Sequence, residues 1–142
     1  MKKIKCKLIG IHYTGTHYSA VLEDMTPNKV RLPIILSDEA GVEILSMRSE
    51  FKPVEETLSS QLLKMTDTKV IEVNILDFES GVFKTEIKLD NDTSFNTSSS
   101  NALYLFQLSD CDLFVDVDVM KNTGIKLDEF NEVDTSDIEY DI

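Results

Sequence analysis

Apolar and polar residues alternate near the start of the chain in the way that is typical of a strand with one buried face. Ile4, Cys6 and Leu8 alternate with lysines, and this pattern predicts a strand that runs on towards Tyr13. The segments YSAVLED and KVRLPIIL predict two further strands, and Pro33 favours an edge or a bulge in the third. This part of the chain therefore predicts an antiparallel meander.

Two amphipathic helices are predicted after the meander. Ser37 and Asp38 are good caps for a helix that carries a set of apolar residues, Ala40, Ile44, Leu45 and Met47. A second helix is predicted from about Val54 to Met65, with four apolar residues facing the interior, Leu58, Leu62, Leu63 and Met65.

Strand patterns return in the second half of the chain. KVIEVNILDF and GVFKTEIKL predict a hairpin, and Gly81 in its ESG turn is available for positive φ. After a short strand around Ser94 to Asn96, the run FNTSSSNALYLFQL passes from a polar cluster to an apolar helix, and DLFVDVDV predicts a last strand. The predicted fold is α+β, with a mixed, largely antiparallel sheet and three main helices.

The chain of 142 residues is strongly acidic, with 14 Lys and Arg against 26 Asp and Glu and a formal net charge of −12. Such a charge repels polyphosphates at long range, and it therefore disfavours non-specific binding to nucleic acid. Six of the fourteen basic residues lie in the first 31 positions. An anionic ligand is therefore expected nearer the N-terminal half.

The length fits one domain, which we predict to span residues 1–126. Residues 127–142, LDEFNEVDTSDIEYDI, contain seven acidic residues and no basic one. This composition predicts an acidic and mobile C-terminal tail.

Cys6 and Cys111 are too few for a disulfide framework and lack the spacing of a zinc site, so both are predicted to be buried thiols. The N-terminal lysines alternate with apolar residues, and no continuous hydrophobic segment follows them. We therefore expect neither a signal peptide nor a membrane span, and we expect a cytoplasmic location.

Several stretches resemble the bifunctional nuclease family, whose small domains have been assigned DNase and RNase activities. They are KLIGIHYTGTHYSAVLED, RLPIIL, GVFKTEI and NALYLFQLSDCDLFVDVDVMKNTGI, and the resemblance covers about Ile4 to Ile125. It implies that family's fold, a last short helix closed by Gly124, and a homodimer. Apolar positions of LFVDVDV on an edge strand would be consistent with such a dimer.

The chain departs from this family in its two polar signatures. In TLSSQLL, Ser59, Ser60 and Gln61 stand where the family has threonine, histidine and aspartate. In NTSSSNA, the family residues Asp, Arg, Pro, Ser and Asp correspond to Asn96, Ser98, Ser99, Ser100 and Asn101. Ser98, Ser100 and Asn101 are suited to cap a helix, although a helix N-terminus can also bind an anion.

Three further groups of polar residues are candidate sites. Arg31 is suited to a phosphate or carboxylate, and an ion pair with a nearby acid is the alternative. Asp116 and Asp118 share one face of the predicted last strand, where they suit either a divalent ion or a solvated edge. His12 and His17 flank a turn, and without a third ligand they are predicted to be surface residues.

The sequence favours a catalytically silent member of the family that acts as a binding or regulatory module without a cofactor. The alternative is a metal-dependent nuclease that acts on DNA or RNA and requires a divalent ion. Serine, asparagine and glutamine cannot accept a proton at neutral pH, so the signature positions lack the groups that hydrolysis needs.

Overall fold

The computed structural model describes residues 2–126, so the predicted acidic tail lies outside the described residues. The strands are β1 (Lys3–Tyr13), β2 (Tyr18–Asp24), β3 (Val30–Leu36), β4 (Val70–Glu79), β5 (Val82–Leu89), β6 (Ser94–Thr97), β7 (Asp112–Asp116) and β8 (Ile125–Lys126). The helices are α1 (Asp38–Arg48), α2 (Leu58–Met65), α3 (Ser99–Leu108) and α4 (Val117–Thr123), with a short 3-10 turn at Val54–Glu56. The predicted α+β class is confirmed.

The eight strands form one mixed sheet in the order β6-β5-β4-β7-β1-β2-β3-β8. The predicted N-terminal meander is confirmed, because β1 pairs with β2 and β2 with β3, both antiparallel. Among the described strands, only the pair β4 and β7 is parallel. β7 enters the sheet between β4 and β1, so the two antiparallel halves share a single core.

One face of the sheet is apolar because each strand places alternate residues on it. Ile4, Cys6 and Leu8 of β1 are buried on this face, while Lys5 and Lys7 point to solvent on the other. Helices α1 and α3 pack on each other and on the strands. None of the described helices is long and apolar enough to cross a membrane.

The hairpin between β4 and β5 turns at Ser80 and Gly81, as predicted. Both residues have positive φ, 54° and 80°. Two successive residues with positive φ give a turn whose twist matches the twist of the flanking strands.

The predicted last strand is wrong in its second half. β7 ends at Asp116, and Val117 begins helix α4. The Asp116 carboxylate accepts hydrogen bonds from the backbone N–H groups of Asp118 and Val119 at 2.9 and 3.2 Å, which starts the helix. Asp116 and Asp118 therefore do not share a strand face, and α4 is the short helix, ending at Gly124, that the resemblance implies.

The predicted orientation of the second helix is also wrong. Thr57 caps α2, and Leu58, Leu62 and Met65 point to solvent with 70%, 51% and 81% of their surface exposed. Leu63 packs against the core from the opposite side of the helix. The apolar stripe was therefore identified correctly, but most of it faces away from the protein.

The prediction that LFVDVDV lies at a sheet edge is wrong as well. β7 pairs with β4 on one side and with β1 on the other. The edge strands among the described residues are β6 and β8. A dimer formed through this segment would have to displace existing strand pairing.

Candidate functional site

The polar cluster at the start of α3 is a set of helix caps. The Ser98 hydroxyl accepts a hydrogen bond from the Asn101 backbone N–H at 3.2 Å. The Asn101 side-chain amide donates to the Thr97 hydroxyl at 3.0 Å. Both side chains thus hold the first turn of α3, which is the role that the capping alternative assigns to them.

Ser100 connects this turn to the start of α1. Its hydroxyl accepts a hydrogen bond from the backbone N–H of Ser37 at 2.9 Å. Ser37 itself caps α1, because its hydroxyl accepts from the Ala40 N–H at 3.2 Å. The N-termini of two helices therefore meet at Ser37 and Ser100, and hydroxyl groups satisfy part of their exposed N–H groups.

The other signature segment lies at the opposite end of α3. Ser60 lines a hollow of about 500 Å³ together with Leu108 and Ser109, where α3 ends. Ser60 thus lies near the C-terminal end of α3, whereas Ser98 caps its N-terminal end, and a helix of ten residues is roughly 15 Å long. Ser59 and Gln61 are the sequence neighbours of Ser60. Within one copy of the chain, the two signature segments do not form a common site.

Arg31 is engaged in an ion pair, as one of the two alternatives predicts. Its Nε atom lies 3.1 Å from a carboxylate oxygen of Glu23 on the neighbouring strand β2. Lys7 lies 3.7 Å from the other oxygen of the same carboxylate. Both cations on this part of the sheet are thus partly neutralised by the chain itself.

Asp116 and Asp118 border a small hollow of about 180 Å³ that Asp77 also lines. One Asp116 oxygen caps α4, and Asp77 accepts a hydrogen bond from the Phe78 N–H at 2.8 Å. Within residues 2–126, no three His, Cys, Asp or Glu side chains converge closely enough to hold a metal ion. The divalent ion of the nuclease alternative therefore has no clear ligand set in one described chain.

His12 and His17 occupy different surroundings near the first hairpin. His12 pairs across the strands with Ser19. His17 lies in the turn, where its Nδ1 atom is 3.0 Å from the Thr16 hydroxyl and 3.4 Å from that of Thr14. These contacts agree with the prediction of surface residues.

Neither cysteine has the properties of a nucleophile. Burial, and to a smaller extent the charge of Asp24, raise the pKa of the Cys6 thiol to about 12. Burial and the nearby acids raise the pKa of Cys111 to about 11. Both thiols are therefore protonated at neutral pH, which is the unreactive form.

A polar network that the sequence analysis missed lies on the open face of the sheet. Lys3 Nζ is 2.7 Å from Glu72 and 4.2 Å from the centre of the Phe114 ring. The buried Asn74 donates to Glu72 at 3.0 Å and to Glu86 at 3.3 Å. The network joins residues of β1, β4, β5 and β7, which are distant in sequence, so local pattern gives no signal for it.

Glu72 is the centre of this network. Desolvation by burial acts to raise its pKa, but hydrogen bonds from Lys3, Asn74 and Lys88 together outweigh this effect, so its pKa is lowered. The carboxylate is thus ionised at neutral pH. It serves as the acceptor for two lysines and does not have the raised pKa of a general acid.

The sequence profile of the bifunctional nuclease domain matches residues 20–128 of the chain. The match begins in β2 and includes both signature segments. No curated protein matches the chain.

Proposed function

The chain belongs to the bifunctional nuclease domain family, and on that premise we propose that it is a catalytically silent binding or regulatory module. The observation that carries the proposal is the chemistry of the signature positions. Ser60, Gln61, Ser98 and Asn101 stand where the resemblance expects histidine, aspartate, arginine and aspartate. Ser98 and Asn101 are used to start α3.

Hydrolysis of a phosphodiester requires groups that these positions do not provide. A water molecule must be activated by a base or a metal, and the developing negative charge must be stabilised. Neutral hydroxyls and amides accept no proton at neutral pH, and they are weak metal ligands. Their hydrogen-bonding capacity still allows them to hold a helix or contact a ligand.

The distribution of charge supports a partner other than nucleic acid. The basic residues of the N-terminal strands lie close to carboxylates of other strands: Lys3 to Glu72, Lys5 to Asp112, and both Lys7 and Arg31 to Glu23. Paired lysines attract a phosphate backbone less than free ones, and the net charge of −12 repels it.

A cleavage assay with labelled single- and double-stranded DNA and RNA, with and without Mn²⁺ or Mg²⁺, tests the proposal. We expect no cleavage above a heat-inactivated control. The double variant Ser60→His and Asn101→Asp restores two expected groups, and activity that appears only in this variant would identify the lost groups as the cause of silence. Metal-dependent cleavage by the unaltered chain would contradict the proposal.

The alternative function, a metal-dependent nuclease, is favoured by family membership. Its candidate carboxylates are the three aspartates that line the hollow near α4, although within the described residues of one chain they do not converge closely enough to hold a metal ion. In that case Asp77→Asn and Asp118→Asn should each remove cleavage without unfolding the protein. Because neither residue starts α4, these variants separate catalysis from helix capping.

We further propose that the module acts as a homodimer in the cytoplasm. The family resemblance implies the dimer, and the exposed apolar stripe of Leu58, Leu62 and Met65 on α2 offers a contact surface. Sedimentation should show a dimer that Leu58→Asp or Met65→Asp converts to a monomer. Dimers that persist unchanged in both variants would exclude this surface.

A further inference from the structure

A cleft lies where the two ends of the sheet approach each other. One wall is β3, which is next to one end of the sheet, and the other is the hairpin of β4 and β5 near the opposite end. Both walls are apolar, and they consist of Leu32, Pro33 and Ile35 on β3 and Phe78, Val82 and Phe83 on the hairpin. The curled sheet thus creates a cleft of about 530 Å³ from residues far apart in sequence.

The lining of this cleft carries no charge, although 28% of all residues in the chain are charged. Ile35 lies on one wall and Val82 on the other, and 64% and 63% of their surfaces are exposed. Phe78 and Phe83 form a tilted ring pair with centroids 4.5 Å apart. Burial of these apolar side chains against a ligand would be favourable, because it removes their exposed surface from water.

Two hydroxyl residues complete the lining. Ser99 is the first residue of α3, and Thr123 is the last residue of α4. A predominantly apolar pocket with a few polar groups is typical of small-molecule sites, whose volumes range from about 300 to 1,000 Å³. The apolar walls would supply affinity, and the hydroxyls would orient a polar group of the ligand.

We infer that this cleft binds an uncharged, largely apolar small molecule that contains a ring system. The inference rests on the proposed function, because it names a ligand class for the binding module. The uncharged lining matches an uncharged ligand, since an anionic group placed there would lose hydration without gaining a counter-charge. It would also lie near the acidic hollow that shares Phe78 and Thr123 with the cleft. A planar ring would pack against Phe78 and Phe83 in the offset or tilted geometry that aromatic rings prefer.

A strand from a partner protein could also occupy such a cleft by pairing with the free edge of β3, but this edge is poorly suited to strand pairing. In the described chain, β8 pairs only with Val30 and Arg31, which leaves the rest of the β3 edge open. Pro33 lies in this open part and has no N–H group to donate to a new strand. The cleft therefore suits a small molecule better than a peptide.

Two fluorescent probes with the same ring skeleton provide the test. N-phenyl-1-naphthylamine is uncharged, and 1-anilinonaphthalene-8-sulfonate adds one sulfonate. We expect saturable binding of one uncharged probe per chain and at least tenfold weaker binding of the sulfonate. Equal or tighter binding of the sulfonate, or no saturable binding of the uncharged probe, would overturn the inference.

Substitutions assign the binding to this cleft. Val82→Asp and Ile35→Asp each place a carboxylate on one wall, and each should weaken binding of the uncharged probe at least tenfold. Val42→Asp introduces the same change at an exposed position of α1 outside the cleft and should leave binding within about twofold. Circular dichroism verifies folding of all three, and equal binding in all three would assign the probe to another surface and refute the inference.

The outcomes also separate this inference from the proposed function. Probe binding is measured without nucleic acid or metal, and cleavage is measured without probe. Cleavage by a chain that binds the probe as expected would contradict only the silent-module proposal. If the fluorescence of the bound probe is lost when a higher protein concentration produces dimers, a second copy of the chain occupies the cleft, and the small-molecule inference is overturned.

Discussion

The hydroxyl of Ser100 in α3 accepts a hydrogen bond from the backbone N–H of Ser37, the residue that caps α1, at 2.9 Å. This bond links two helix starts that are 63 residues apart in sequence. Ser100 is the one serine retained from the family signature. The hydrogen bond gives it a structural role, because its hydroxyl oxygen already accepts from a backbone N–H group of the same chain.

Ser100→Ala should therefore destabilise the fold. The substitution removes the acceptor of the Ser37 N–H, and a hydrogen bond of this type contributes about 1 kcal/mol to the free energy of unfolding. Urea unfolding followed by circular dichroism measures the change. Ser59→Ala on α2 is the control and should alter the free energy of unfolding by less than about 0.5 kcal/mol. Equal effects of the two substitutions would show that the Ser100 hydroxyl does not stabilise the fold.

Gly41→Ala in α1 should destabilise the protein, although alanine is the better helix former by about 1 kcal/mol. A Cβ atom at Gly41 would lie 2.4 Å from Cγ of Tyr18, which is too close for either side to accommodate without moving. We expect a net loss of about 1–3 kcal/mol from this overpacking. Thermal unfolding measures it.

Gly10→Ala provides the matched comparison for this prediction. A Cβ atom at Gly10 would meet no atom within 4 Å. This variant should remain within about 0.5 kcal/mol of the unaltered chain. A stabilised Gly41→Ala variant would show that α1 and β2 are not packed as closely as described.

Asp116→Ala should destabilise α4 by about 1 kcal/mol, because it removes the acceptor of two backbone N–H groups. Asp116→Asn retains a capping oxygen and should lose much less. The loss should be the same with and without Mn²⁺ in thermal unfolding. A destabilisation that appears only when Mn²⁺ is present would instead identify Asp116 as a metal ligand.

The free energy of unfolding should decrease as the pH is lowered in the acidic range, and Glu72 should contribute to this decrease. Its pKa is lowered in the folded chain, so the unfolded chain binds a proton more readily. The stabilisation from Glu72 is therefore complete above the pKa of the unfolded state, near 4.3, and is lost as pH falls through the lower folded value.

Glu72→Gln should flatten this part of the pH profile and lower stability at pH 7 by about 1 kcal/mol. Urea unfolding at pH 7, 5, 4 and 3 measures both effects. Glu79→Gln is the control, since Glu79 forms an exposed pair with Lys84 whose contribution is small. If the slopes for Glu72→Gln and the unaltered chain coincide, the network does not depend on this carboxylate.

Local interactions explain which predictions succeeded. The alternation of Ile4, Cys6 and Leu8 with lysines determines one buried and one solvated face wherever the strand is placed. Ser98 caps α3 through a hydrogen bond to a residue three positions away. Such features depend on neighbours in sequence, so the strands of the meander and the start of this helix could be predicted.

The failed predictions concern choices that local pattern leaves open. Val115, Val117 and Val119 are buried in alternation, and this pattern fits a strand that continues as well as a strand that ends in a capped helix. The apolar stripe of α2 defines a helix face but not the side that the protein core occupies. Tertiary packing decided both.

The sequence by itself determined the residue types at the candidate site, and with them the loss of titratable groups, because amino-acid chemistry is independent of the fold. Only the tertiary structure decided which of these residues meet. Insertion of β7 between β4 and β1 and the packing of α3 bring Ser37 to Ser100, yet leave Ser60 at the other end of that helix. The curl of the sheet brings Ile35 near Val82, since burial of one common apolar face draws distant strands together.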